Sequence, residues 1–489
     1  DLTRPAAFFD TFRPSGDHSG AGECVWIHDA EKGTKMLRRG LCGLAMVGLL
    51  ILGAAPRASA TDGHFLHGVG AINSAMGGAG ISTPESLLGT FSLNPAGLIA
   101  FDELRMEFSM EMFRADRSVS SSVPTPTGGV LSGTTKSKAS FVPIPAFGVS
   151  YKLPGDRVVL GLAGIGSAGF GVDYPASAVP TAPGDPVNPI LLPQPNGFGQ
   201  VYSDYNLLKI ALSMGVKATD DFWLGVALNV DRAALAVIPM PAAAPDVSDP
   251  ANPDPFYPSA GATDGAFGIG FQIGLLYKIK EIGFFGASYT SQQWFRAFEW
   301  NSTHANPNLA NFGEPRTFSF RLDVPAVVGA GFGVQAIPEL LLTADFKYYF
   351  YKNTPGFEIP GSGPFNPDGS LAGFGWENIY SIAFGVKAEP ADIVALYAGY
   401  NFADNPVPDS LSMINIAAPA IVQHHISFGI GIRATRQFEI TAAYYHAFKN
   451  SGTGEILNPN IPAGTSSVTN TLKEDSILLQ FSYTSKGDI

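Results

Sequence analysis

The chain has 489 residues, of which 15% are charged and 56 are glycine, against about 25% charged in an ordinary soluble domain. Its acidic balance, 30 Lys and Arg against 42 Asp and Glu, argues against nucleic acid as a partner. The longest apolar run, Leu41 to Ala55, falls short of the roughly 20 residues of a membrane-spanning helix. Apolar residues are therefore spread over many short segments.

That run reads as the core of a secretory signal peptide over 36–60: Arg38 and Arg39 precede it and Ala58-Ser59-Ala60 offers a cleavage site. Residues 1–35 read as an upstream extension, and the mature chain is expected to start at Thr61. Cys42 stands at the start of the apolar core, where a lipid-anchoring cysteine would follow it. Both cysteines, Cys24 and Cys42, precede residue 61, so an exported product has no disulfide to close its framework. Residues 61–489 carry 23 Lys and Arg against 36 Asp and Glu, a net charge of −13.

Next comes a Gly-rich, small-residue segment (Gly68, Gly70, Gly77, Gly78, Gly80) that ends on Asn94-Pro95-Ala96. Pro95 has no amide donor and biases Asn94 to an extended conformation, so neither helix nor strand continues through this point. Taken alone, the motif is a loop with an Asn-Pro turn. From Leu104 onward one pattern repeats: in 340–351, Leu340, Leu342, Ala344, Phe346, Tyr348 and Phe350 alternate with Thr343, Asp345, Lys347, Tyr349 and Tyr351. Successive side chains of a strand face opposite ways, so such a run has one greasy and one mixed face. It recurs at 207–217, 380–387, 425–433 and 438–449. Strands are expected near 104–118, 139–153, 157–173, 200–218, 221–237, 264–280, 282–300, 316–335, 338–352, 374–388, 391–404, 422–435, 436–450 and 473–485, fourteen in all. A soluble β-sandwich also alternates. Strand length, the signal peptide, the sparse charge, and short turns interleaved with long Pro/Asn-rich stretches (174–199, 238–263) favour an all-β transmembrane antiparallel β-barrel.

These residues resemble the FadL-type family of outer-membrane transporters for long-chain fatty acids and other hydrophobic compounds, over nearly all of 61–485. The match rests on Asn94-Pro95-Ala96 ahead of the first strand, Asp323-Val324-Pro325-Ala326 with the strand to Gly333, the strand Trp376 to Lys387, and Ala398-Gly399-Tyr400 followed by Asn405-Pro406-Val407-Pro408. The resemblance implies that 61–103 is a hatch plugging the lumen of a barrel over 104–485, with 486–489 as a tail. It also implies passive uptake of a hydrophobic small molecule, a long-chain fatty acid or an aromatic hydrocarbon, across the bacterial outer membrane with release on a rearrangement of the hatch, by a monomer in contact with membrane lipid, without a cofactor. The chain departs from the usual pattern at its end, where Thr484 to Ile489 follow Phe481-Ser482-Tyr483.

Gly164-Ile165-Gly166-Ser167-Ala168-Gly169 spells G-x-G-x-x-G, but no helix follows, so it is not read as a dinucleotide loop. Glycines inside a strand mark a bulge or bend. The resemblance implies an inward kink here, at Gly164, Gly166, Ser167, Ala168 and Gly169, opening the wall for lateral exit; a straight strand with room for the plug is the bland alternative. Gly166 and Gly169 are expected to supply the kink through φ > 0. Loop side chains Leu191, Leu192, Phe256 and Tyr257 are expected to capture the ligand. No residue is assigned a catalytic or metal-ligating role: there is no G-x-S-x-G elbow, His424 and His425 face opposite sides of a strand, and His64 with His67, only two candidate ligands, reads as a solvated pair with a metal site as the alternative. A general porin for polar solutes is the alternative function, a membrane-embedded lipid hydrolase a more distant one.

Overall fold

The computed structural model describes residues 62–485, apart from 102, 127, 181–184, 250–253, 281, 362 and 459. The extension, the signal peptide, Thr61, both cysteines and the tail at 486–489 lie outside the described residues.

Fourteen strands close into one antiparallel barrel. They are β1 (Leu104–Pro124), β3 (Phe141–Lys152), β4 (Val158–Tyr174), β5 (Val201–Lys217), β6 (Phe222–Ile238), β7 (Ala260–Ile279) and β8 (Gly283–Thr290), then β12 (Val327–Ile337), β13 (Leu340–Tyr349), β14 (Ile379–Ala391), β15 (Val394–Ala403), β16 (His424–Arg433), β17 (Phe438–Gly454) and β18 (Ser467–Thr484). β1 pairs with β18 from Arg105↔Thr484 to Ser122↔Ser467, so the sheet has no open edge at the seam.

The two faces of the wall settle what solvent it stands in. On β13, Leu342 and Phe346 are exposed outside, while Thr343, Asp345 and Lys347 are buried inside. Leu228 and Phe271 point outward beside inward Asn229 and Gln272 on β6 and β7. A soluble sandwich buries its apolar face, whereas this sheet turns apolar side chains out and polar ones in, as a barrel in lipid must. Turns as short as 153–157 and 392–393 share a rim with both barrel ends, and the opposite rim carries the long loops.

Three expected strands are corrected. The runs 282–300 and 316–335 do not cross the wall whole: the chain leaves the barrel at Thr290, forms β9 (Trp294–Phe295) and a separate hairpin of β10 (Phe298–Thr303) with β11 (Pro315–Phe320), and re-enters at Val327. Asp323 holds this detour, accepting from Gln292 Nε2 (2.7 Å), the Phe295 N–H (2.9 Å) and Arg321 Nη2 (2.8 Å), and Pro325 cannot donate to a ladder. Trp376 likewise lies in a loop ahead of β14, its indole N–H donating to Asn415 Oδ1 at 2.7 Å. At the outer rim β1, β17 and β18 run longer than expected, and β2 (Val130–Lys136) folds back on β1.

Candidate transport site

The segment ahead of the barrel fills the lumen. It contains two short helices, α1 (Ala71–Ala75) and α2 (Leu87–Leu93), and a 3₁₀ turn, Pro95–Ala100, almost all of it buried. Gly77 and Gly78 adopt φ of 66° and 77°, and a Cβ on Gly78 would run into the His67 carbonyl. No other residue turns the chain so tightly there.

Asn94 is the tie between plug and wall. Its backbone is extended at φ −156°, which ends α2, and its side chain caps the 3₁₀ turn by accepting from the Ala96 N–H at 3.1 Å. Its Nδ2 donates both to Ile81 O (2.8 Å) within the plug and to Leu275 O (2.9 Å) on β7. Wall glycines make room: a Cβ on Gly225 would meet the Pro95-Ala96 backbone, and one on Gly274 would meet Asn94 Oδ1. The motif is thus a wedge seated flush on β6 and β7. Polar bolts repeat around the circumference. Asp345 accepts from the Gly80 and Ile81 N–H groups (2.7 and 2.9 Å), Glu107 from Ser86 Oγ and the Leu88 N–H (3.0 and 3.1 Å), and Gln272 donates to the Ser92 and Leu93 carbonyls (3.1 and 3.0 Å). At the start of the plug, Asp62 Oδ2 accepts from Lys347 Nζ (2.8 Å), Tyr349 (2.7 Å) and Ser381 (3.1 Å).

His64 and His67 are fully buried, which corrects the expectation of a solvated pair. His64 Nδ1 bonds to the Tyr351 hydroxyl at 2.9 Å, and His67 stacks on inward-facing His425 at 5.1 Å while His424 is exposed on the outside. Among the described residues no group of three or more His, Cys, Asp and Glu converges to hold a metal.

The strand β4 breaks its register between Gly166 and Ala168, leaving Ser167 as a bulge. β3 pairs with β4 only from Lys152↔Val159 up to Ala146↔Ile165, although β3 itself continues along β1 to Phe141. Above that point the ladder between the two strands ends, and β4 is next bonded to the wall on this side only at Asp173, by the Lys138 N–H and Ser137 Oγ. The cause is legible in β3: the Leu153 N–H donates to Val158 and the Lys152 N–H to Glu103, so odd-numbered residues direct their donors toward β4. Pro143 and Pro145 are odd-numbered and have no donor. The freed edge of β4 is taken by the plug instead. Leu66 N–H donates to Ser167 O (3.1 Å), Gly169 N–H donates to His64 O (2.9 Å), and Phe65 bridges Ala168 between them.

The glycines act differently from expectation. Neither Gly166 nor Gly169 has positive φ. A Cβ on Gly166 would meet Ile144 Cγ2 at 2.6 Å, and one on Gly164 would run into the Phe147 ring. Absence of a side chain admits β3 residues beside β4, and the prolines and the bulge, not left-handed backbone, end the ladder between the strands.

The loop residues divide. Leu191 is fully buried in an outer cap with Val119, Val172, Tyr174 and Met413, whereas Leu192, Phe256 and Tyr257 are half-buried. Burial pushes the Tyr257 hydroxyl up to about 12, so it stays a neutral donor, here to Gly369 O at 3.1 Å. Below the cap, a cavity of about 90 Å³ lies against the bulge, lined by Phe65 and Leu66 of the plug, Ser167, Lys209, Asp231 and Gln293. Pro143, Pro145, Lys209 and Asp231 were not singled out from sequence. The signals available were prolines two apart in a strand, and a Lys and an Asp on the polar faces of successive strands.

A polar-lined, plugged, fourteen-stranded barrel with an apolar outer face is the architecture of an outer-membrane transport protein. Residues 200–486 match the family described as outer membrane protein transport protein (OMPP1/FadL/TodX), and the chain belongs to it. Its fold is similar to that of a Pseudomonas aeruginosa FadL homologue (15% identity, TM-score 0.63, 86% of this chain and 99% of that one). It is also similar to the P. putida toluene transporter TodX (16%, 0.60, 86% and 99%) and the Ralstonia pickettii toluene transporter TbuX (16%, 0.54, 86% and 99%). No curated protein sequence matches it.

Proposed function

We propose that this monomer, surrounded by outer-membrane lipid, passes hydrophobic molecules by capture, storage and sideways release. Half-buried Leu192, Phe256 and Tyr257 offer apolar surface at the outer rim, where burying each ligand CH₂ is worth about 0.8 kcal/mol. One end of the cargo enters the cavity beside the plug, and the molecule leaves between β3 and β4 once residues 64–66 withdraw. The observation that carries this reading is that the freed edge of β4 is held by the plug through two backbone hydrogen bonds rather than by β3. A general porin would need an open lumen, and here buried plug residues occupy it. Concentration gradient and binding alone supply the drive.

The test locks the plug to the strand. Phe65 and Ala168 face each other as a non-hydrogen-bonded antiparallel pair, whose Cα separation of about 4.5 Å lies within disulfide reach. The Phe65→Cys/Ala168→Cys protein should take up a labelled hydrophobic compound when reduced and stop when oxidised. Equal uptake in both states would refute release through this gap.

A further inference from the structure

Lys209 and Asp231 are direct partners across β5 and β6, and both point into the lumen. Lys209 is 9% exposed and Asp231 1%, so both are desolvated, yet no hydrogen bond or close ion pair joins them. Asp231 Oδ1 has no partner among the described residues, and neither have Ser167 Oγ and Gln293 Oε1 beside it. The other lysine on this cavity, Lys347, is already committed to Asp62 at 2.8 Å. A buried polar group left unpaired is costly, so four polar side chains converging on one cavity mark a place where something polar is received. The cavity, about 90 Å³, is smaller than the roughly 150 Å³ that accommodates benzene. It fits a head group, not a whole hydrophobic body.

We propose that Lys209 and Asp231 form a head-group site that selects hydrophobic molecules bearing a hydroxyl over bare hydrocarbons and over carboxylates. The inference rests on the reading that this cavity lies on the path of a hydrophobic cargo. A hydroxyl has one donor and two acceptor lone pairs: its O–H donates to the Asp231 carboxylate while its oxygen accepts from the Lys209 ammonium. A hydrocarbon leaves both unsatisfied. A carboxylate only accepts, and it would sit beside Asp231 in a site where like charges are poorly screened. With Asp62 balancing Lys347 and Asp231 balancing Lys209, the site is neutral overall and remains so only with a neutral head.

Calorimetric titration of the folded full chain in detergent with toluene, p-cresol and p-toluate tests this, and 1-octanol against octanoate repeats the comparison on an alkyl body. The hydroxyl compound of at least one body should bind about tenfold or more tightly than its counterparts, the worth of a hydrogen bond to a charged group. Lys209→Met should reduce p-cresol to the level of toluene. Asp231→Asn, which keeps the shape, should improve p-toluate relative to p-cresol, a change of preference that a merely structural role would not produce. Tighter binding of the carboxylates by wild type, or a hydroxyl preference unmoved by either substitution, would overturn the proposal while leaving the channel intact. Failure of the wild-type protein to bind any of these compounds, toluene included, would instead refute the cavity as a cargo site and the head-group site with it.

Discussion

Replacing Pro143 and Pro145 with valine returns two N–H groups to the edge of β3 that faces β4. Each backbone hydrogen bond contributes about 0.5–1.5 kcal/mol net, so the pair favours closure by about 1–3 kcal/mol. The plug's hold on the same stretch of β4 is also two bonds, Leu66 N–H to Ser167 O and Gly169 N–H to His64 O, so β3 would compete for that edge on nearly equal terms. A bias of this size shifts a two-state population about 5- to 150-fold, and uptake of a labelled hydrophobic compound into cells should fall by at least the lower figure. Binding to solubilised protein should not change, because the cavity is lined by other residues. Amide hydrogen exchange supplies the control: the new valine N–H groups should be protected. Protected groups with undiminished uptake would refute sideways exit, and unprotected groups would refute the proline argument itself.

Asn94→Ala removes the donations to Ile81 and Leu275 and the cap on Ala96, about 3 kcal/mol of plug seating at about 1 kcal/mol each. Limited proteolysis should then cut within 62–103 and uptake should slow, while the anomalous gel migration of unheated barrel persists because the β1–β18 seam is untouched. Asp345→Ala strands the Gly80 and Ile81 N–H groups, and should speed hydrogen exchange at those two amides before any other part of the plug. Phe271→Arg places a charge on the lipid face, where Phe271 is 42% exposed; the cost is about 2–4 kcal/mol near the bilayer midplane, read as a lower unfolding temperature in lipid vesicles. A soluble protein would tolerate that substitution, and an unchanged unfolding temperature would count against membrane insertion.

Much of this molecule follows from local pattern. Alternation along a strand is a two-residue property, so Leu342, Thr343, Phe346 and Lys347 announce their faces without any neighbour, and fourteen such runs imply closure. Pro95 stops the chain by its own covalent structure, and the glycines at 164–169 marked the third barrel strand as a place to look for a bulge or bend. What those glycines do was decided elsewhere: the ladder between β3 and β4 ends where Pro143 and Pro145 of β3 offer no donor, and the bulge at Ser167 is met by residues 64–66 from far earlier in the chain. The detour was hidden at its flanks, 291–300 and 316–326, because Phe298–Thr303 and Pro315–Phe320 alternate as a wall strand does, and the contacts of Asp323 with Gln292, Phe295 and Arg321 bend them away. His67 and His425, or Lys209 and Asp231, become neighbours only when the sheet closes and its register sets one strand against the next. A sequence specifies which way each side chain points along its own strand; which other side chain it then meets is a property of pairing and closure, and the seating of the plug, the unpaired edge of β4 and the cavity beside it all belong to that second kind.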